Sequence, residues 1–353
     1  MKTITRFSAL SMFLCGAACG SVVDVEADAG DEGQRDAAPD AGDPPSEDAA
    51  SADAGVAPRF RLPDSQTPFC TDGAEEVDCP TSGDLQGQDG DYRLHVPDYE
   101  LEANDALVFD TVSRLRWTRL PNAALTPEEA EAYCGDVADN QIGGRDDWRL
   151  PTRFELSTLF DLGRDEAAFP AVFSELELQH ALWTATPYAG DSTQYWLARG
   201  NGNFETFEPG DHGFEPRILC VSGDVPAAEL EDLEGEALLD ERTGLVWEQG
   251  VSDDLPSWGD ALARCEALSL AGHDDWRLPS AKEYQSIVDD TATDPAFPGE
   301  FEAHPDGDEL WTSTPLPQAP ERARVIDASS SAQNESPLDE AAAARCVRGP
   351  DDL

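Results

Sequence analysis

Two pairs of adjacent aspartates, Asp146/Asp147 and Asp274/Asp275, each stand directly ahead of Trp-Arg-Leu-Pro. Carboxylate oxygens in such a pair are the hard ligands that calcium takes. A local role competes: an aspartate before a tryptophan, in a glycine-containing turn, bonds backbone amides or a nearby arginine. The local role is the stronger expectation, with Arg149 and Arg277 as the simplest partners of these carboxylates, and neither a metal nor another cofactor is expected. A second chemistry, stacking of an aromatic ring on a sugar face, is offered by Tyr195 and Trp196 beside Arg199. These three form the candidate ligand-binding surface.

Catalytic chemistry finds little in the chain. The histidines, His95, His180, His212, His273 and His304, show no spacing of the His-Glu-x-x-His kind. A nucleophile elbow and a glycine-rich phosphate loop are also absent from the sequence.

The elements that must carry these residues come in duplicate. Asp-Asp-Trp-Arg-Leu-Pro occurs as residues 146–151 and again as 274–279, and flanking motifs recur in the same order. Asp110–Trp117 matches Asp240–Trp247, Cys134 matches Cys265, Leu182–Pro187 matches Leu310–Pro315, and Cys220-Val221 matches Cys346-Val347. A repeat this long is a domain, not a solenoid unit. Trp117, Trp148 and Trp183 have counterparts in Trp247, Trp276 and Trp311, which marks them as core, whereas Trp196 and Trp258 have none.

Within each copy Thr126-Pro127-Glu128-Glu129, or Ser257 with Asp260, predicts the start of a first helix. Thr152-x-x-Glu155 and Ser280-x-x-Glu283 are capping boxes that open a second helix, with Leu156, Leu159 and Phe160, or Tyr284, Ile287 and Val288, as its buried stripe. The rest of each copy alternates in short runs, as strands do. Each copy therefore reads as a small α+β domain with two helices and a mainly antiparallel sheet.

Of 353 residues 73 are acidic and 23 basic, giving a net charge of -50 and making nucleic acid and anionic lipid headgroups poor partners. Only Lys2 and Lys282 are lysines. Residues 1–18 read as an export signal too short to span a bilayer, and Gly16-Ala17-Ala18-Cys19 as a lipobox that would acylate Cys19. Glycine stands where that pattern prefers leucine. Membrane attachment would then be through the lipid alone, in the outer membrane of a Gram-negative cell, with simple secretion as the alternative. Residues 19–58, built from Asp, Ala, Gly, Pro, Glu and Ser, read as a disordered acidic tether. A hairpin-and-loop extension follows at 59–105, the first copy at 106–223, a linker at 224–236 and the second copy at 237–350.

Export permits disulfides. With Cys19 lipidated, the duplication pairs Cys134 with Cys220 and Cys265 with Cys346, leaving Cys70 and Cys79 for a small loop; pairing between the copies is the alternative.

The ordered set of motifs, Gly-Leu-x-Trp, a cysteine-bearing helix, Asp-Trp-Arg-Leu-Pro, Trp-Thr-Ser-Thr and a closing Arg-Cys-Val-Arg-Gly, resembles the C-terminal domain family of the Legionella collagen-like adhesin, twice over. The Leu62–Asp91 segment is similar to the lead-in of bacterial proteins of this type. The resemblance implies two tandem C-type-lectin-like domains, with a cysteine of the first helix bonded to one in the last strand. Glu-Pro-Asn, Gln-Pro-Asp and Trp-Asn-Asp, the tripeptides of calcium-dependent sugar binding, do not occur. Sulfated polysaccharide, the ligand class associated with the adhesin, would be repelled unless Arg114, Arg116, Arg119, Arg145, Arg149, Arg153 and Arg164 cluster. The expected function is non-catalytic binding or adhesion to a glycan or protein surface. A formylglycine-generating type of oxidative enzyme and a purely structural envelope protein are the alternatives, and oligomeric state is left open.

Overall fold

The computed structural model describes residues 59–350 except 84, 125, 165–166, 210–214, 234, 253 and 303–308. The export signal, Cys19 and the acidic tether lie outside the described residues. The fold is α+β, two tandem copies of one plan built from small, mostly antiparallel sheets and few helices.

A lead-in comes first, with a short hairpin, β1 (Cys70–Thr71) and β2 (Glu76–Val77), closed by the Cys70–Cys79 disulfide. In the first copy β3 (Tyr99–Glu102), β4 (Leu107–Asp110) and β5 (Arg116–Thr118) run antiparallel. The chain continues through β6 (Asn122–Ala123), α1 (Pro127–Asp139), α2 (Arg153–Leu159), β7 (Ala181–Pro187), β8 (Tyr195–Arg199), β9 (Phe204–Phe207), β10 (Arg217–Ile218) and β11 (Val221–Ser222). Strand β11 returns beside β5, giving the sheet order β11-β5-β4-β3, while β6-β10-β7-β8-β9 forms a second sheet in which only β10 and β7 are parallel.

The second copy repeats this with β12 (Leu230–Leu233), β13 (Ala237–Asp240), β14 (Val246–Glu248), α3 (Trp258–Glu266), α4 (Ala281–Tyr284), β15 (Glu309–Leu316), β16 (Ala319–Asp327), β17 (Gln333–Pro337) and β18 (Val347–Arg348). Its sheets are β12-β13-β14-β18 and β15-β16-β17. Strands β3 and β12 fall in the stretches read from sequence as extension and linker, yet each pairs along its length with the first strand of its repeat.

Local chemistry explains the repeated elements. Asp110 accepts from the Val112 amide and the Ser113 hydroxyl, Asp240 from the Arg242 amide and Thr243 hydroxyl, so each β-hairpin turns around a carboxylate. The position after that turn has φ +79° at Gly244 and φ 64° at Arg114, a left-handed conformation that glycine takes freely and arginine only with strain. Helices α1 and α3 start on Thr126 and Ser257, whose side chains accept from Glu129 and Asp260 amides. Capping boxes open α2 and α4 at Thr152/Glu155 and Ser280/Glu283. Helix α4 stops after Tyr284, so Ile287 and Val288 lie beyond it rather than on its stripe. The amides of Gln285, Ser286 and Ile287 bond three residues back, and Arg242 takes the Ser286 carbonyl, which tightens the chain out of α-geometry.

All six matched tryptophans are buried, and disulfides Cys134–Cys220 and Cys265–Cys346 tie the first helix of each copy to the residue before its returning strand. Each closes a loop of 86 or 81 residues and stabilises its copy by about 4 kcal/mol through loop entropy.

The copies are joined by a reciprocal contact. Arg153 of α2 reaches across to Asp290 (3.2 Å), to the Ser331 hydroxyl (2.5 Å) and to the Ser331 carbonyl. In return Arg324 of β16 donates to the Asn203 side chain (2.6 Å) and the Asn201 carbonyl (3.0 Å). Asn201 and Asn203 lie in the turn between β8 and β9, and Ser331 in the turn between β16 and β17, so each copy offers the same turn to an arginine of the other. Arg153→Ala is expected to cost about 3 kcal/mol by leaving Asp290 and Ser331 without their buried donor. It should also split the denaturation of the folded body into two transitions, read by calorimetry.

Candidate functional site

The duplicated hexapeptide ends at the start of the second helix. Arg149 and Arg277 do not pair with the aspartates before them. Each makes two bonds to the helix-capping glutamate instead, Arg149 to Glu155 at 2.7 and 2.5 Å and Arg277 to Glu283 at 2.7 and 2.5 Å. The capping glutamate offers both of its oxygens to the arginine, while the aspartate two residues earlier is taken by another arginine, Arg145 in the first copy and Arg348 in the second. Asp147 accepts from Arg145, the Ser222 hydroxyl and the Gly223 amide, and the Arg145 hydrogen bond leads in drawing its carboxyl down to about 2. Asp275 is held by Arg348, which likewise lowers its carboxyl pKa. Among the described residues no group of three or more His, Cys, Asp or Glu side chains is placed to hold a metal ion.

The proposed stacking surface is not assembled. Trp196 is 3% exposed and lies at the junction, with the Arg153 guanidinium 4.1 Å from its ring and Tyr188 packed edge-on. Alternation along β8 turns Tyr195 to the opposite side, edge-on to Trp183. Arg199 is partly exposed and pairs with Glu205 at 3.0 Å. Nor do the arginines of the first copy make a common basic patch: Arg116, Arg145, Arg149 and Arg153 each face a different carboxylate. Arg119 and Arg164 bond the Val172 and Ala167 carbonyls, and Arg114 lies over Phe109.

A narrow cleft with a cavity volume of about 30 Å³ opens where the lead-in meets the second copy, lined by Asp64, Ser65, Asp89, Tyr92, His95, Arg277 and Glu283 among others. Asp89, in a single turn of 3-10 helix at Asp89–Asp91, accepts from the hydroxyls of Ser65 and Thr314, both at 2.7 Å. It thereby latches the lead-in to β15. Burial, reinforced by the neighbouring Asp64, pushes its carboxyl up to about 6. Tyr92 lies against Arg277 and donates to Glu266 of α3 at 2.5 Å.

Behind the cleft Lys282 is 2% exposed, its ammonium donating to the carbonyls of Asp64 (2.8 Å) and Thr158 (3.1 Å). It joins lead-in, first copy and second copy in one contact. Burial lowers its pKa to about 8, opposed by the charges of Asp64, Asp110, Asp161 and Asp89. Sequence reading gave no role to Asp64, Asp89 or Lys282; one signal was available in Lys282, the single lysine beyond the signal segment.

Lys282→Met is expected to cost about 3 kcal/mol by chemical denaturation, since two carbonyls lose their donor and the surrounding carboxylates their counter-charge. Asp89 has a second, pH-dependent signature. Its folded pKa is raised, so its contribution is present while it is protonated, below the ordinary carboxylate range, and is lost as pH rises through about 6. Asp89→Asn should therefore show a smaller fall in Tm than the parent between acid and neutral pH, by a few degrees. An identical fall in both proteins would rule out this group as the cause.

Comparison with known proteins agrees with the duplicated plan. No curated protein matches the chain. Residues 106–221 and 236–348 each match the Lcl C-terminal domain, so the chain belongs to that family and carries two tandem copies of its domain.

Proposed function

We propose that this chain is an exported lipoprotein, acylated at Cys19, that displays two C-type-lectin-like copies as a non-catalytic binding or adhesion module for a glycan or protein ligand. The carrying observation is the state of the cysteines. Cys134, Cys220, Cys265 and Cys346 are fully buried and bonded in pairs, and Cys70 is bonded to Cys79. An oxidative enzyme of the formylglycine-generating type needs a reactive cysteine pair, and the pairs here have the environment of structural bridges. The bond from first helix to returning strand in each copy also supports the C-type-lectin-like reading.

The charged groups common to both copies are likewise engaged in holding the fold: Arg149 and Arg277 on capping glutamates, Asp147 and Asp275 on arginines. Recognition is then the work of surfaces that differ between the copies. An outer-membrane site fits the lipobox, and among the described residues no helix is long and apolar enough to cross a membrane.

The reading is tested on the mature full chain. Thiol titration in denaturant is expected to find no free thiol among the six cysteines beyond Cys19, and Cys19→Ser to release the protein from the membrane fraction. Glycan and protein arrays probed with calcium and with chelator should return a hit that survives chelation. Free thiols together with oxidation of a cysteine-containing peptide would replace the binding reading by the enzymatic one.

A further inference from the structure

Among the described residues, the second copy carries a cover that the first copy lacks. The lead-in lies over Arg277, Ser280 and β15, with the Tyr92 ring centroid 5.1 Å from the Arg277 guanidinium and Asp89 bonded to Thr314. Beneath it the Arg277 side chain is 6% exposed and Ser280, Ser313 and Pro315 are buried. The equivalents in the first copy are Arg149, Thr152, Ala185 and Pro187. Arg149 is 42% exposed in its side chain, Thr152 and Pro187 are exposed, and Ala185 is half-buried.

The underlying frame is the same on both sides. Arg149 and Arg277 hold their glutamates through the same two bonds and reach equivalent carbonyls, Gly223 and Gly349. Thr186 Oγ1 accepts from the Arg153 amide as Thr314 Oγ1 does from Ala281. Thr314 gives its own proton to Asp89. In the first copy the guanidinium plane is open, and Thr186, 7% exposed, stands in the place of Thr314, where the second copy receives an aromatic ring and a carboxylate.

We propose that this open face of the first copy is a docking site for an acidic, aromatic-bearing peptide segment of a partner protein, bound as Asp89–Tyr92 is bound to the second copy. The proposal rests on the binding reading above and gives it a site and a ligand class. The second copy supplies the argument for that occupant, since there the Tyr92 ring lies over the Arg277 guanidinium and Asp89 accepts from Thr314 beside it. The chain's own lead-in is committed elsewhere, since Thr71 also bonds the Pro320 carbonyl and Glu76 the Gln318 amide of the second copy. One difference sets specificity. Glu266, which takes the Tyr92 hydroxyl, is replaced by Gly135, beyond whose Cα lies open space. The docked ring therefore needs no hydroxyl.

The probe is a fluorescent peptide of residues 85–95 of this chain, titrated by anisotropy into the mature full-length protein. Saturable binding is expected, weakened about tenfold or more by Arg149→Ala and by Pro187→Glu, which sets a like charge against the peptide. A peptide with Asp89→Ala should bind as weakly, and one with Tyr92→Phe as well as the parent.

Binding unaffected by both protein variants would place the peptide elsewhere and overturn the site. No saturable binding up to about 1 mM would do the same, and the general binding reading would still stand on any array hit. Tighter binding of a peptide from residues 24–36 would give the face to the chain's own tether. Self-association lost in Arg149→Ala would give it to a second copy of the chain. Either result overturns the partner assignment.

Discussion

A buried cation must be held from every side, and three of them meet at the junction of the two copies. Lys282, Arg153 and Arg324 are 2%, 1% and 3% exposed, and burial lowers the pKa of each. Desolvation costs several kcal/mol per ion and is offset only when carbonyls, hydroxyls and carboxylates are fixed around it. Those partners come from different parts of the chain: Asp64 and Thr158 for Lys282, Asp290 and Ser331 for Arg153, Asn201 and Asn203 for Arg324. A shift of one copy against the other would strand all three charges. Lead-in and copies therefore hold together as a unit, and Trp196 is sealed inside it.

Duplication supplies the geometry of this junction and divergence supplies its chemistry. Two identical copies meeting through equivalent faces set residue i against j and j against i, so that residues near the axis meet their own kind. Here the paired positions have separated: Arg153 against Ala281, Phe154 against Lys282, Trp196 against Arg324. Each cation meets an aromatic ring or a neutral acceptor rather than its own kind, as Arg153 over Trp196 and Arg242 over Phe154 illustrate. The lone tryptophan that looked like a sugar platform in the sequence is lone because it serves this asymmetry.

What could be read from sequence was local. Thr126, Thr152, Ser257 and Ser280 announce helix starts because capping involves residues only three apart. The matched tryptophans announce core because both copies bury them. The junction was not legible, since it joins residue 153 to 331 and 282 to 64 and 158, and no periodicity encodes such pairs. The same limit explains the arginine of the hexapeptide. Proximity in sequence favoured the aspartates, but Arg145 and Arg348 take those carboxylates, and the capping glutamate six residues on became the arginine's partner.

That partner has a consequence for the exposed face. Glu155 accepts from the Thr152 amide to close the capping box and from Arg149 at once, so the arginine neutralises a carboxylate that is only 2% exposed. The fold needs Arg149 whether or not anything covers it. In the second copy its counterpart is covered by the lead-in, and one chain carries a single lead-in for two equivalent faces. The first copy is left with a guanidinium that the fold requires and whose outer plane the lead-in does not reach. Any surface that meets the molecule there must accommodate that guanidinium plane and its ion pair with Glu155. For a partner, the two faces differ in the covering segment and in Gly135 where Glu266 would be.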